Sequence, residues 1–166
     1  MKSRLKITSI MLLFALVLSV MPALALPGQA SAAACYQAQF VSDVTVPDGT
    51  KYNANTAFKK TWKLKNIGTC AWTTSDTMIF DSGAPMGAPA SVALPSAVAV
   101  GATVDVSVDM KAPNSAGRYI GYWKFKSSSG TVFGIGVNAN KAWWVEINVA
   151  GSSSTGSVVY DFAATA

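Results

Sequence analysis

Apolar and polar residues alternate in four segments of this chain, and this period of two constrains the fold more than any other sequence feature. The segments are Phe58–Lys65, Thr103–Met110, Tyr119–Lys126 and Trp143–Val149. Successive side chains of a β-strand point to opposite faces, so the pattern indicates strands with one buried and one solvated face. Lys60 breaks the pattern, because it falls on the apolar face of its segment. No segment has a convincing helical period.

The composition after residue 32 is also that of a strand protein. Only Leu64 and Leu94 remain as leucines there, and Glu146 is the only glutamate of the chain, whereas Val and Thr are frequent. Val, Thr and aromatic residues fit a pleated sheet, and Leu and Glu favour helices. Turn signals separate four shorter candidate strands, which are Phe40–Val46, Met78–Phe80, Ser91–Leu94 and Val132–Val137. We therefore predict an all-β antiparallel sandwich of about seven or eight strands.

Residues 1–32 have the pattern of a secretory signal peptide. Lys2, Arg4 and Lys6 precede an apolar run over 7–26. The small residues Ala30–Ala32 provide a cleavage site, and Ala32–Ala34 provide a second. We predict a signal peptide helix and a secreted or cell-surface protein. The alternative is an uncleaved membrane anchor, because about 20 apolar residues can span a bilayer. Cleavage after residue 32 lowers the formal charge from +5 to +2, which argues against nucleic acid as a partner.

The two cysteines, Cys35 and Cys70, both follow the predicted cleavage site. An exported chain reaches a compartment that permits oxidation, so we expect one disulfide between them. Two free thiols, or an acylated Cys35 that anchors the protein to the membrane, are the alternatives.

The chain has no histidine, which excludes Ser-His-Asp triads, Cys-His pairs and histidine-ligated zinc. Because it has only one glutamate, a pair of catalytic carboxylates would have to include aspartate. The aspartates at positions 43, 48, 76, 81, 105 and 109 are scattered, and a calcium site needs converging oxygens. The segment Gly134–Ala139 matches G-x-G-x-x-A, but a strand follows it instead of the helix that a dinucleotide site requires. We predict no catalytic residue, no metal and no cofactor, and hence a binding or structural domain.

Exposed aromatic side chains are the candidate contacts of such a domain, because they stack on sugars or anchor a protein partner. Alternation places Trp62, Trp123 and Trp143 in the core. The better candidates for ligand contact are Trp144 and Tyr122, which alternate to the opposite face, and Trp72, which lies beside a turn. Lysines 59, 63 and 65 form a basic stripe, with lysines 124 and 126 as potential neighbours. A solvated strand face explains this stripe better than an acidic ligand does.

Five stretches resemble the four-tryptophan, Ig-like domain of the neighbour-of-BRCA-one family, which secreted bacterial proteins also carry. They are Phe40–Thr50, Phe58–Trp72, Lys111–Phe125, Val132–Val137 and Trp143–Val149. Tryptophans 62, 72, 123 and 144 match the four family positions. The sequence departs from the family at Asn53–Asn55 and Val100–Gly101, where the family has Pro-Gly turns.

The resemblance implies an Ig-like β-sandwich over 35–149 without enzymatic activity, of the bacterial secreted type. It implies recognition of a protein partner, which we expect at the cell surface. A carbohydrate- or cell-wall-binding module and a purely structural spacer are the alternatives. Residues 150–166 would form a Ser/Gly linker and a short tail. In exported relatives a segment like Tyr160–Phe162 opens a further module, so the tail is a candidate stub of one.

Overall fold

The computed structural model describes residues 34–151, and the predicted signal peptide and most of the C-terminal tail lie outside this range. None of the described residues is helical, so this part of the chain contains no helix that could cross a membrane. Within residues 34–151, nine strands follow one another: β1 (Ala38–Asp43), β2 (Thr50–Asn53), β3 (Ala57–Asn66), β4 (Thr77–Gly83), β5 (Ser91–Ala93), β6 (Thr103–Lys111), β7 (Gly117–Lys126), β8 (Val132–Phe133) and β9 (Trp143–Ala150).

The strands form two sheets. The smaller sheet has the order β1-β3-β6, with both pairs antiparallel. The larger sheet has the order β2-β9-β7-β4-β5, and β8 extends it as a short hairpin partner of β7. In the larger sheet, β2 and β9 form a parallel pair. The all-β, Ig-like sandwich is confirmed by this architecture.

The strand β2 is absent from the sequence prediction, because its four residues TKYN carry no apolar alternation. Conversely, the predicted strand Val132–Val137 ends at Phe133. A side chain at Gly134 would meet the backbone carbonyl of Lys141, and Gly136 has a φ of 85°, so the segment forms a tightly packed loop before β9. These glycines therefore allow close packing of the loop, and within the described residues no helix follows them as a dinucleotide site would require.

The core lies between the inward faces of the sheets and is rich in aromatic rings. Trp62 of the small sheet contacts Trp123 and Trp143 of the large sheet, with ring centroids 5.9 Å and 6.5 Å apart. Val and Leu side chains from β3 and β6 cover the same face. Tilted and edge-to-face pairs of this kind add to the apolar burial, so the tryptophans hold the two sheets together.

Lys60 points into this core, on the face that its sequence position predicts, and it is 0% exposed. Its ammonium group forms an ion pair with Asp43 and donates a hydrogen bond to the carbonyl of Val46 at 2.7 Å. It also lies 5.5 Å from the Trp62 ring centroid. Burial lowers the pKa of Lys60, and the Asp43 carboxylate opposes that shift. The ion pair thus attaches β3 to the end of β1, and the hydrogen bond to Val46 attaches it to the turn that follows.

Cys35 and Cys70 form a disulfide, as the sequence predicts. The bond joins the arm before β1 to the loop after β3, and the Cys70 amide donates a hydrogen bond to the Cys35 carbonyl at 2.9 Å. Gly68 is needed between them, because a Cβ at this position would collide with that same carbonyl oxygen. The sulfur of Cys35 is therefore engaged within the domain.

Candidate interaction surface

Four of the five tryptophans are buried. Trp62, Trp123 and Trp143, predicted as core residues, are at most 1% exposed. Trp72 is 0% exposed, so the prediction of a ligand contact there is wrong. Its backbone pairs with that of Val98 in an isolated bridge, and its ring packs 4.9 Å from the ring of Phe125. The adjacent turn directs the ring inward, and solvent does not reach it.

Trp144 and Tyr122 are brought together on the outer face of the large sheet. They are register partners on β9 and β7, and their chain neighbours Trp143 and Trp123 point into the core. Directly opposed residues in an antiparallel pair have Cβ atoms about 5 Å apart. Trp144 is 43% exposed and Tyr122 is partly exposed. We call these two residues the aromatic pair.

Two hydrogen bonds fix the position of Trp144. Its indole N–H donates to Asp48 Oδ2 at 2.8 Å, and its carbonyl accepts the indole N–H of Trp62 at 2.8 Å. Asp48 belongs to the turn after β1, where Val46 has a φ of 54°. This conformation is unusual for a β-branched residue, and the bond from Lys60 to the Val46 carbonyl stabilises it. The buried lysine thereby supports the turn that presents Asp48.

Charged pairs flank the aromatic pair on the same face. Arg118 donates two hydrogen bonds to the Glu146 carboxylate, at 2.8 Å and 2.6 Å. These bonds raise the pKa of Arg118 and lower the pKa of Glu146. Lys124 and Asp81 form a second pair, 3.0 Å apart. An apolar centre within a polar rim is the usual anatomy of a protein-binding surface.

A groove opens next to Trp144. Its lining consists of four apolar or aromatic side chains and two carboxylates, which belong to Phe40, Asp43, Asp48, Ile135, Trp143 and Trp144. Its volume is about 130 Å³. Phe40 is 39% exposed, and its position in the sequence does not indicate this exposure. We call this feature the Phe40 groove. Sequence reasoning missed it, because its lining comes from β1, two loops and β9.

The lysine stripe is largely neutralised within the small sheet. Lys59 lies 3.1 Å from Asp109, and Lys63 lies 2.9 Å from Asp105, both across the β3–β6 pair. Lysines 124 and 126 belong to β7 in the other sheet and do not extend the stripe. The outer face of the small sheet is therefore a solvated face with paired charges. In the described range, no three His, Cys, Asp or Glu side chains converge as a metal site would require.

The domain that carries the aromatic pair is similar to known proteins. Residues 45–149 match the model of a family described as the Ig-like domain from next to BRCA1 gene. The chain belongs to this family. The match covers β2 to β9 almost completely, so both members of the aromatic pair and Asp48 lie within the family domain.

Three eukaryotic relatives are similar to this domain. Protein JOKA2 of Solanum tuberosum is 38% identical over 114 residues, and the NBR1 homolog of Arabidopsis thaliana is 36% identical over 127 residues. Protein ILRUN of Danio rerio is 30% identical over 95 residues. These matches cover 67%, 75% and 57% of this chain. They span only 12%, 17% and 33% of the relatives, so the similarity concerns one domain of longer proteins.

Proposed function

We propose that this protein is an exported Ig-like module that recognises another protein at the cell surface through the aromatic pair. The observation that carries the proposal is the position of Trp144. It is the one tryptophan of the described residues that is substantially exposed, and Asp48 holds its ring in place. A rigid, pre-positioned aromatic ring inside a polar rim is typical of an interface hot spot.

Export is supported by two features that are independent of each other. The first 32 residues have the signal-peptide pattern, and the cysteines of the domain are bonded to each other. Disulfides persist in oxidising compartments and are rare in the cytosol. The intact mass of the protein recovered outside the cell tests this part of the proposal. We expect cleavage after Ala32 and a mass about 2 Da below that of the dithiol, for the two hydrogens lost on S–S formation. A retained N-terminal segment or a lipid on Cys35 would contradict it.

A carbohydrate ligand is the second candidate, and the aromatic pair itself favours it. Two adjacent aromatic rings on one sheet face can stack on successive sugar rings. The charged pairs around them and the carboxylates of Asp43 and Asp48 favour a protein partner instead, because they offer charge-assisted contacts. A third alternative, a purely structural spacer, predicts no bound partner at this face.

Site-specific photo-crosslinking distinguishes these candidates. A photoreactive residue replaces Tyr122 in one variant, and Lys63 on the opposite sheet in the control. The variants are displayed on the cells that produce the protein. We expect an adduct from position 122 whose digest contains peptides of a second protein and that glycosidases leave intact. A glycosidase-sensitive adduct would support the carbohydrate alternative. Equal adducts from positions 122 and 63 would contradict the assignment of the face.

A further inference from the structure

The Phe40 groove is sized for one side chain. Pockets for drug-sized ligands occupy about 300–1,000 Å³, and the groove has about 130 Å³. Its apolar walls come from Phe40, Ile135 and the two adjacent tryptophans 143 and 144. Since Trp144 also belongs to the aromatic pair, a partner that covers this pair lies beside the groove and can insert one residue into it.

The charge of the groove selects the sign of that residue. Asp43 and Asp48 contribute two negative charges, and Lys60 behind Asp43 contributes one positive charge. Lys60 is fully buried, and its ammonium group already donates to Asp43 and to the Val46 carbonyl. Asp48 is exposed at the rim, where its Oδ2 accepts the Trp144 indole N–H. The groove therefore has a net charge of −1 and an accessible carboxylate at its rim.

We propose that the Phe40 groove binds an arginine side chain of the protein partner. This inference rests on the proposed function, and it names the chemistry of the partner residue. The guanidinium group stacks on the exposed ring of Trp144 and donates hydrogen bonds to the Asp48 carboxylate. Arginine suits both contacts, because its group is planar, permanently charged and weakly hydrated, and it stacks on aromatic faces.

Other cations fit the same residues less well. A lysine ammonium is compact and strongly hydrated. The apolar walls of the groove would displace its bound water without offering hydrogen bonds in return. A quaternary ammonium group has no N–H donor, so it would add no hydrogen bond to the one that the Asp48 carboxylate accepts from the Trp144 indole. The groove thus combines aromatic walls with the accessible carboxylate of Asp48, and a guanidinium can contact both.

The test is an NMR titration of the exported protein with short peptides. The peptides are acetylated and amidated Gly/Ser chains that carry one central arginine, citrulline or lysine. The readout is the indole N–H signal of Trp144, assigned by its loss in Trp144→Phe. We expect the arginine peptide to shift this signal saturably in the millimolar range. The uncharged citrulline peptide, of nearly the same shape, should leave the signal unchanged, and the lysine peptide should bind more weakly than arginine.

Asp48→Asn should lower the affinity for the arginine peptide about tenfold, which is the loss expected for one charge-assisted hydrogen bond. Asp109→Asn on the small sheet is the matched control and should change the affinity less than twofold. Asp43 is unsuitable for this test, because its removal leaves a buried lysine unpaired. Equal binding of citrulline, tighter binding of lysine, or an unchanged affinity of Asp48→Asn would overturn the proposal. If the arginine peptide fails while position 122 still crosslinks to a protein, only this inference fails and the proposed function stands.

Discussion

The Cys35–Cys70 bond should supply a large part of the stability of this domain. The two residues are separated by 35 positions in the sequence. The chain-entropy relation for a loop of this length gives a stabilisation of about 3.8 kcal/mol at 25 °C. Domains of this size have free energies of unfolding of about 5–15 kcal/mol. Without the bond, the domain should therefore remain folded but close to the limit of stability.

The perturbation is the double substitution Cys35→Ser/Cys70→Ser. Cys35 is exposed and Cys70 is partly exposed, so the serines create no core cavity. For the 118 described residues, an unfolding entropy of about 2.1 cal/mol/K per residue converts the loss into a fall of about 15 °C in Tm. Urea unfolding followed by tryptophan fluorescence measures the same loss as a free energy, because four of the five indoles are buried.

Reduced wild-type protein is the matched control for this experiment. It has the same open chain but keeps both sulfur atoms, so its stability should equal that of the double variant to within about 0.5 kcal/mol. A loss below about 1 kcal/mol in both samples would refute the loop-closure reasoning. A loss in the serine variant alone would assign the effect to the new side chains and not to the bond.

Three other perturbations test the core, the ion pair and the rim. Trp72→Ala should cost about 3–5 kcal/mol of unfolding free energy in urea titrations, and the exposed Trp144→Ala much less, because only the former empties a core site; similar losses would contradict the burial of Trp72. Asp43→Ala should lower the free energy of unfolding by about 3 kcal/mol, because it leaves the buried Lys60 charge unpaired. Asp109→Ala, at an exposed ion pair, should lower it by less than about 1 kcal/mol in the same measurement. Equal losses would contradict the difference between the two ion pairs. Arg118 holds the pKa of Glu146 in the folded domain below its usual 4.5. At a pH below 4.5 the unfolded state therefore binds more protons than the folded state, and the domain loses stability as the pH falls. The advantage of the wild type over Glu146→Gln in thermal unfolding should shrink across that window, and a constant difference would contradict the assignment.

The period of two predicted which face each long strand buries. It placed the core tryptophans of β3, β7 and β9 inward and Trp144 outward, because one buried face fixes the register of a strand. It also placed Lys60 on the inner face, where the structure shows its ammonium paired with Asp43. The partner of Lys60 could not be predicted, since it comes from the end of a different strand, 17 residues earlier.

Features that depend on loops were beyond the sequence pattern. Trp72 is buried at an isolated bridge to Val98, where no alternating segment indicates which way its ring points. The parallel strand β2 follows from its pairing with β9 and not from its own four residues. The Phe40 groove needs β1, the turn at Asp48 and the loop at Ile135 to meet, so its lining residues are far apart in the chain.

The most direct test of the proposed function is the affinity of the crosslinked protein partner for surface variants of this domain. Tyr122→Ala/Trp144→Ala alters the aromatic pair, and Lys59→Ala/Lys63→Ala alters the opposite face as the matched control. Each hot-spot residue contributes about 2 kcal/mol or more, so we expect the first variant to lose at least about 30-fold in Kd. The control should stay within about twofold. An unchanged Kd for the aromatic variant, or an equal loss in the lysine variant, would contradict recognition through the aromatic pair.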